Sequence, residues 1–236
     1  MLVSPGQLVE VDGYNMSVYR EGSGDTTLVF LSGGGTCSPI LDFKSLYSRL
    51  SDEFSIAVVE KFGYGFSDII GRKRDIDSIL EDTRSALAAA GATAPYVLCP
   101  HSMSGLEALY WANKYPDEVS AIVGLDMAVP EYYDSMDINS PLMRAADWAA
   151  NIGVTRLIPG ISDSDAIRHG TLSEREKGSL QSGFLSPDGN CEHDKRDRSG
   201  ERKCQESGQY GRAAAPDATI PFKRFRRNGL RHGSMA

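Results

Sequence analysis

Several features that would point to a particular chemistry are missing from this chain. No stretch approaches the roughly 18 unbroken apolar residues of a membrane span, so none is expected. The four cysteines, Cys37, Cys99, Cys191 and Cys204, form no CxxC pair, which argues against a zinc site and against a disulfide framework. No GxGxxG or GxxxxGK(S/T) follows any strand pattern, which removes the main cofactor- and nucleotide-binding readings. An excess of positive charge is missing as well. The net charge of -7 argues against nucleic acid or an anionic membrane surface as the main partner. The opening residues, MLVSPGQLVEVDG, lack the basic-then-apolar order of a signal peptide, and a cytoplasmic location is the expectation.

Aliphatic residues are scarce in one place only. From Gly178 to Ala236 there are four branched aliphatics (Leu180, Leu185, Ile220, Leu230) and no valine, and the segment carries a net charge of +4 against -11 for residues 1–177. Such a composition cannot bury enough apolar surface to offset the entropy of ordering it. It is not expected to continue the fold that precedes it.

What is present, up to about residue 130, is an alternation of strand and helix signals, the mark of an α/β sheet. LVEVDG and NMSVYREG predict a hairpin closed near Asp12-Gly13. TTLVFLS, SIAVVE, PYVLCP and AIVGLD predict four further strands, the first buried on both faces. Between them, Ile40, Leu41, Phe43, Leu46, Tyr47 and Leu50 predict one helical stripe over Pro39–Leu50. A second helix is capped by Asp75 and ends at Gly91, and a third runs from Ser102 to Tyr115. From 131 to 177 the pattern is irregular but helical, with Leu142, Ala145, Trp148 and Ala149 on one face, and predicts a cap over the sheet. The expected domains are therefore 1–130 (core), 131–177 (cap) and 178–236 (basic tail).

Three segments carry chemistry. PYVLCPHSMSGLEAL places Ser102 between a strand and a helix, where a tight turn lifts a hydroxyl off the sheet and the helix dipole faces a developing oxyanion. FLSGGGT follows the third strand, and its glycines free backbone N–H groups to face a substrate oxygen; Gly34, with the N–H of Met103, is the expected oxyanion pair. VVEKFGYGFSD follows the fourth strand, with Glu60, Gly63, Gly65 and Ser67 in structural rather than catalytic roles. In this order and spacing the three segments resemble the α/β-hydrolase superfamily, in its esterase-like or proline-iminopeptidase-like branch. Pro100 and Ser104 stand where that family's G-x-S-x-G elbow has glycines, and Glu60 stands where its D-x-x-G-x-G-x-S turn has aspartate.

The resemblance implies Ser102 as nucleophile, a small acyl ester or amide as substrate, and neither metal nor organic cofactor. Asp126, at the end of the sixth strand, is the expected acid that orients a histidine. The histidine itself is not found. His101 adjoins the nucleophile but is expected to pack beside the elbow. His169 comes too early, and His193 and His232 follow no apolar strand. Strands seven and eight of the family are not recognisable either. Codons permitted by Gly178 to Met235, read one nucleotide out of register, encode an uninterrupted string that includes an amphipathic helix, a proline turn and PMLLFLSNG, the kind of strand that is missing. Residues from about Gly178 onward are therefore expected to be out of frame relative to the ancestral gene, a genuine basic tail being the alternative. The expected protein is a serine hydrolase by descent whose activity is impaired. A non-catalytic binding protein or an inactive fragment is the other reading.

Overall fold

The computed structural model describes residues 4–34, 36–72, 74–131 and 164–185, with side chains described up to 181 in the last stretch. Strands β1 (Gln7–Val11) and β2 (Tyr14–Glu21) form the expected hairpin. Its turn needs positive φ at both central residues, and Asp12 (51°) and Gly13 (79°) supply it. Then come β3 (Thr27–Leu31), helices α1 (Pro39–Asp42) and α2 (Lys44–Tyr47), and β4 (Ser55–Glu60). Helix α3 (Ile76–Ala89), β5 (Tyr96–Ser102), α4 (Ser104–Lys114), β6 (Val119–Ile122) and β7 (Leu125–Met127) complete the core. Helices α5 (Asp165–His169) and α6 (Glu174–Leu185) follow.

The sheet runs β1-β2-β4-β3-β5-β6, with β7 also beside β5. β2 meets β4 antiparallel, and every pairing among β3 to β7 is parallel. Side chains of β3 alternate between two cores, as expected of a strand covered on both faces. Val29 and Leu31 join Val59, Leu80, Leu87 and Trp111 under α3 and α4, while Phe30 joins Ile40, Tyr47, Ile56 and Val58 under α1 and α2.

Two expected elements come out divided. The Pro39–Leu50 helix breaks at Phe43 (φ -92°, ψ 0°), and Leu46, placed on the apolar stripe, is 40% exposed. The sixth strand stops at Ile122 and resumes at Leu125 as β7. Ser102, expected to open a helix, instead ends β5. Asp75 does cap α3, its carboxylate accepting from the Ser78 N–H at 2.9 Å. Helix α6 runs through Gly178 without interruption. Leu172 and Leu180 close a small apolar cluster with Cys37 and Leu41, and Lys44 pairs with Glu176. The residues expected to form the cap's apolar face, and Cys191, His193, Cys204 and His232, lie outside the described residues.

Candidate active site

The C-terminal ends of β3, β4, β5 and β7 meet at one edge of the sheet, and each delivers one part of the site. β5 delivers Ser102. Its φ is +53°, a left-handed backbone that costs a residue with a side chain about 1–2 kcal/mol. Met103 returns to helical angles and leads straight into α4, so the Met103 N–H lies at the positive end of that helix.

Ser104 shows why a glycine is not needed at its place in the elbow. Its hydroxyl accepts from the N–H of His101 (2.9 Å) and lies 2.7 Å from the carbonyl of Leu31 and 2.8 Å from that of His101, to which it can donate. The turn is tied to the end of β3 by a side chain that glycine lacks. Close approach is instead supplied one residue later. A Cβ on Gly105 would sit 2.1 Å from the carbonyl oxygen of Ala128, so α4 packs on the chain after β7 at glycine distance. Sequence reasoning passed over Gly105, although a glycine early in a helix that packs on a sheet is the visible signal. Pro100 pairs with Leu31 within the parallel ladder.

The loop after β3 lies directly on the elbow. A Cβ at buried Gly33 would fall 2.7 Å from the Ser102 Cβ and 2.9 Å from the Met103 nitrogen. Gly34 is exposed, and a Cβ there would meet the Met103 sulfur at 3.4 Å.

The loop after β4 is a scaffold built on a buried carboxyl. Glu60 is fully buried, accepts from the Phe66 N–H at 2.7 Å and from the Ser38 hydroxyl, and leaves no room for a side chain at Gly65 (φ +49°). Ser67 donates to the Glu60 carbonyl at 2.5 Å and accepts from the Ser17 N–H at 2.8 Å. Burial pushes the Glu60 carboxyl up to about 7. Asp42 is pushed up to about 6 for the same reason. Burial also raises the thiols of Cys37 to about 12 and Cys99 to about 11, so both stay protonated at neutral pH.

β7 brings Asp126 alongside. His101 pairs with Leu125 and Ser102 with Met127, so Asp126 is the extra residue of a bulge, with φ +52° and an exposed side chain. The Ala128 N–H donates to the Ser102 carbonyl at 2.8 Å. His101 sets its ring edge-on to Phe43, 5.8 Å between centroids, with Nδ1 buried and without a hydrogen-bond partner among the described residues. His169 is exposed at the end of α5. Among the described residues, no hydrogen bond joins the Ser102 hydroxyl to an imidazole or a carboxylate.

No helix of the described residues is long and apolar enough to cross a membrane. The architecture and the motifs agree with known proteins. An uncharacterized protein of Bacillus subtilis, YbdG, is 43% identical over 75% of this chain and 56% of its own length. A 2-(acetamidomethylene)succinate hydrolase of Mesorhizobium japonicum is 30% identical over 50% of this chain and 41% of its own. The chain thus spans about half the length of the curated relatives it matches. Among solved structures, the haloalkane dehalogenase DatA from Agrobacterium tumefaciens shares the fold with a TM-score of 0.56 at 18% identity, over 78% of this chain and 64% of that one. The family model for the alpha/beta hydrolase fold matches residues 26–164, from the start of β3 past the whole elbow, and the chain belongs to the α/β-hydrolase family.

Proposed function

We propose that this is a serine-hydrolase site for an ester or amide of a small acyl compound, with Ser102 as the nucleophile. The observation that carries this reading is the left-handed Ser102 at the junction of β5 and α4, a strained position where glycine would cost less. In the proposed step Ser102 Oγ attacks the acyl carbonyl carbon and a histidine takes the hydroxyl proton. The N–H groups of Gly34 and Met103 receive the oxyanion, and the same proton then goes to the departing alcohol or amine. Water repeats the sequence to release the acid. Asp126 is the proposed acid that orients the histidine, supported by its place on the strand next to Ser102.

Neither described histidine is bonded to Ser102, and the proposed activity is correspondingly impaired. Loss of the base in a comparable site costs on the order of 10⁶ in turnover, leaving about 10³–10⁴ over water from the oxyanion donors and binding. The proposal extends to the chain from about Gly178, which we read as out of frame.

A fluorophosphonate probe tests the function. Slow labelling that Ser102→Ala abolishes is the expected result, slow because neither described histidine is bonded to Ser102. A folded, monodisperse sample that takes no label would favour a binding protein. Sequencing the codons around Lys177 and Gly178 tests the frame: a single inserted or deleted base that restores an amphipathic pattern is expected, and an intact frame would make the basic segment genuine.

A further inference from the structure

The glycine loop after β3 has no side chains with which to hold its own shape. Glycine is the residue with the most backbone freedom, so the conformation of Gly33 and Gly34 needs an anchor from outside. The structure has one. Lys61, the first residue after β4, is 3% exposed, and its ammonium donates to the carbonyl of Ser32 at 3.0 Å. The same ammonium forms an ion pair with Glu107, 5% exposed, in the first turn of α4. Glu107 in turn accepts from the Thr83 hydroxyl on α3 at 3.3 Å. One buried cation thus joins the root of the loop, the end of β4 and the helix that begins beside Ser102.

We propose that Lys61 is a positioning residue of this site, fixing the peptide from which the glycine loop starts while Glu107 balances its charge. A trans peptide sets its N–H opposite its carbonyl. Pinning the Ser32 carbonyl to Lys61 therefore aims the Gly33 N–H and the chain beyond it away from Lys61. Stability alone does not require charges here, since a buried ion pair is often matched or bettered by well-packed apolar residues. What an apolar pair cannot do is hold a backbone carbonyl. The inference rests on the proposed role of this loop as an oxyanion donor.

The test uses the full chain and the double variant Lys61→Met/Glu107→Met, which removes both charges and strands neither. Three quantities are read: the thermal midpoint, amide hydrogen exchange at Gly33 and Gly34 by NMR, and the second-order rate of Ser102 labelling by a fluorophosphonate. The double variant should melt close to the native chain, yet exchange at both glycines should quicken, and labelling should slow, by at least about tenfold. Lys61→Arg, which keeps the charge and the donors, should restore both rates to within about threefold. Native exchange at Gly33 and Gly34 in the double variant would overturn the proposal. Should that variant not fold, Lys61→Gln/Glu107→Gln decides by the same exchange measurement. Absence of labelling in the native chain would overturn the hydrolase reading alone, because the exchange rates still judge Lys61.

Discussion

The two sides of the candidate site are built to different standards. On the side of β3, β4 and β5, every piece is held. Ser104 ties the elbow to Leu31, Lys61 grips Ser32, and Glu60 carries the turn that ends at Ser67. On the side of β6 and β7, the strand is broken between Ile122 and Leu125, Val123 is 51% exposed, and Asp126 projects from a bulge into solvent. The half that would bind an oxyanion is preorganised. The half that would organise proton transfer is open, and it is the half whose remaining partners the sequence does not supply in recognisable form.

Substitutions can break this contrast or sharpen it. The largest effect is expected at Gly33. A methyl there meets the Cβ of Ser102 and the backbone of Met103 rather than a flexible tip, so Gly33→Ala should cost about 3 kcal/mol in urea denaturation and slow Ser102 labelling. A near-neutral Gly33→Ala would mean that the loop is less tightly applied than its geometry implies.

The next effect is a pH dependence. The folded chain keeps a proton on Glu60 up to about pH 7, whereas the unfolded chain releases it near 4.5. This contribution is therefore greatest below the unfolded value and is lost as pH rises through the folded one. Stability should fall by about 2 kcal/mol between pH 5 and 8 on account of this group. Glu60→Gln should flatten that slope, leaving a smaller fall from Asp42, and an unchanged slope would show that Glu60 is already ionised.

Ser104→Ala comes third. It deprives the His101 N–H and the Leu31 carbonyl of a partner and should cost about 1–2 kcal/mol by thermal or chemical denaturation. The smallest effects have the opposite sign. Ser102→Gly relieves a left-handed backbone and should stabilise by about 1 kcal/mol while abolishing labelling. Asp126→Gly should gain less, at most about 0.5 kcal/mol, because aspartate tolerates that region better. Equal gains at the two positions would erase the distinction between a strained elbow residue and an ordinary bulge.

The strands and the elbow were legible because they are local. β3 and β4 are short apolar runs between turn residues, and Ser102 sits where a strand pattern gives way to a helical one. The resemblance to the family supplied the sheet's place for each. The breaks at Phe43 and after Ile122 were not legible, since the hydrophobic pattern runs on through both and tertiary packing decides where the chain turns. The pairing of Lys61 with Glu107 was invisible for another reason. The two residues are 46 positions apart, and a lysine or glutamate in an isolated segment reads as solvated. Ser104 looked like a tolerated departure from glycine, and only its three-way contact shows that the hydroxyl has taken over the work of closing the turn.

Ser102 and Asp126 kink at the same level of adjacent strands, both near φ +50°, and the Ala128 N–H is fastened to the carbonyl of Ser102 itself. The sheet therefore has a crease across two strands rather than two separate bends. Tension or slack in the chain leaving β7 reaches the peptide of Ser102 through a single 2.8 Å bond, without passing through any side chain.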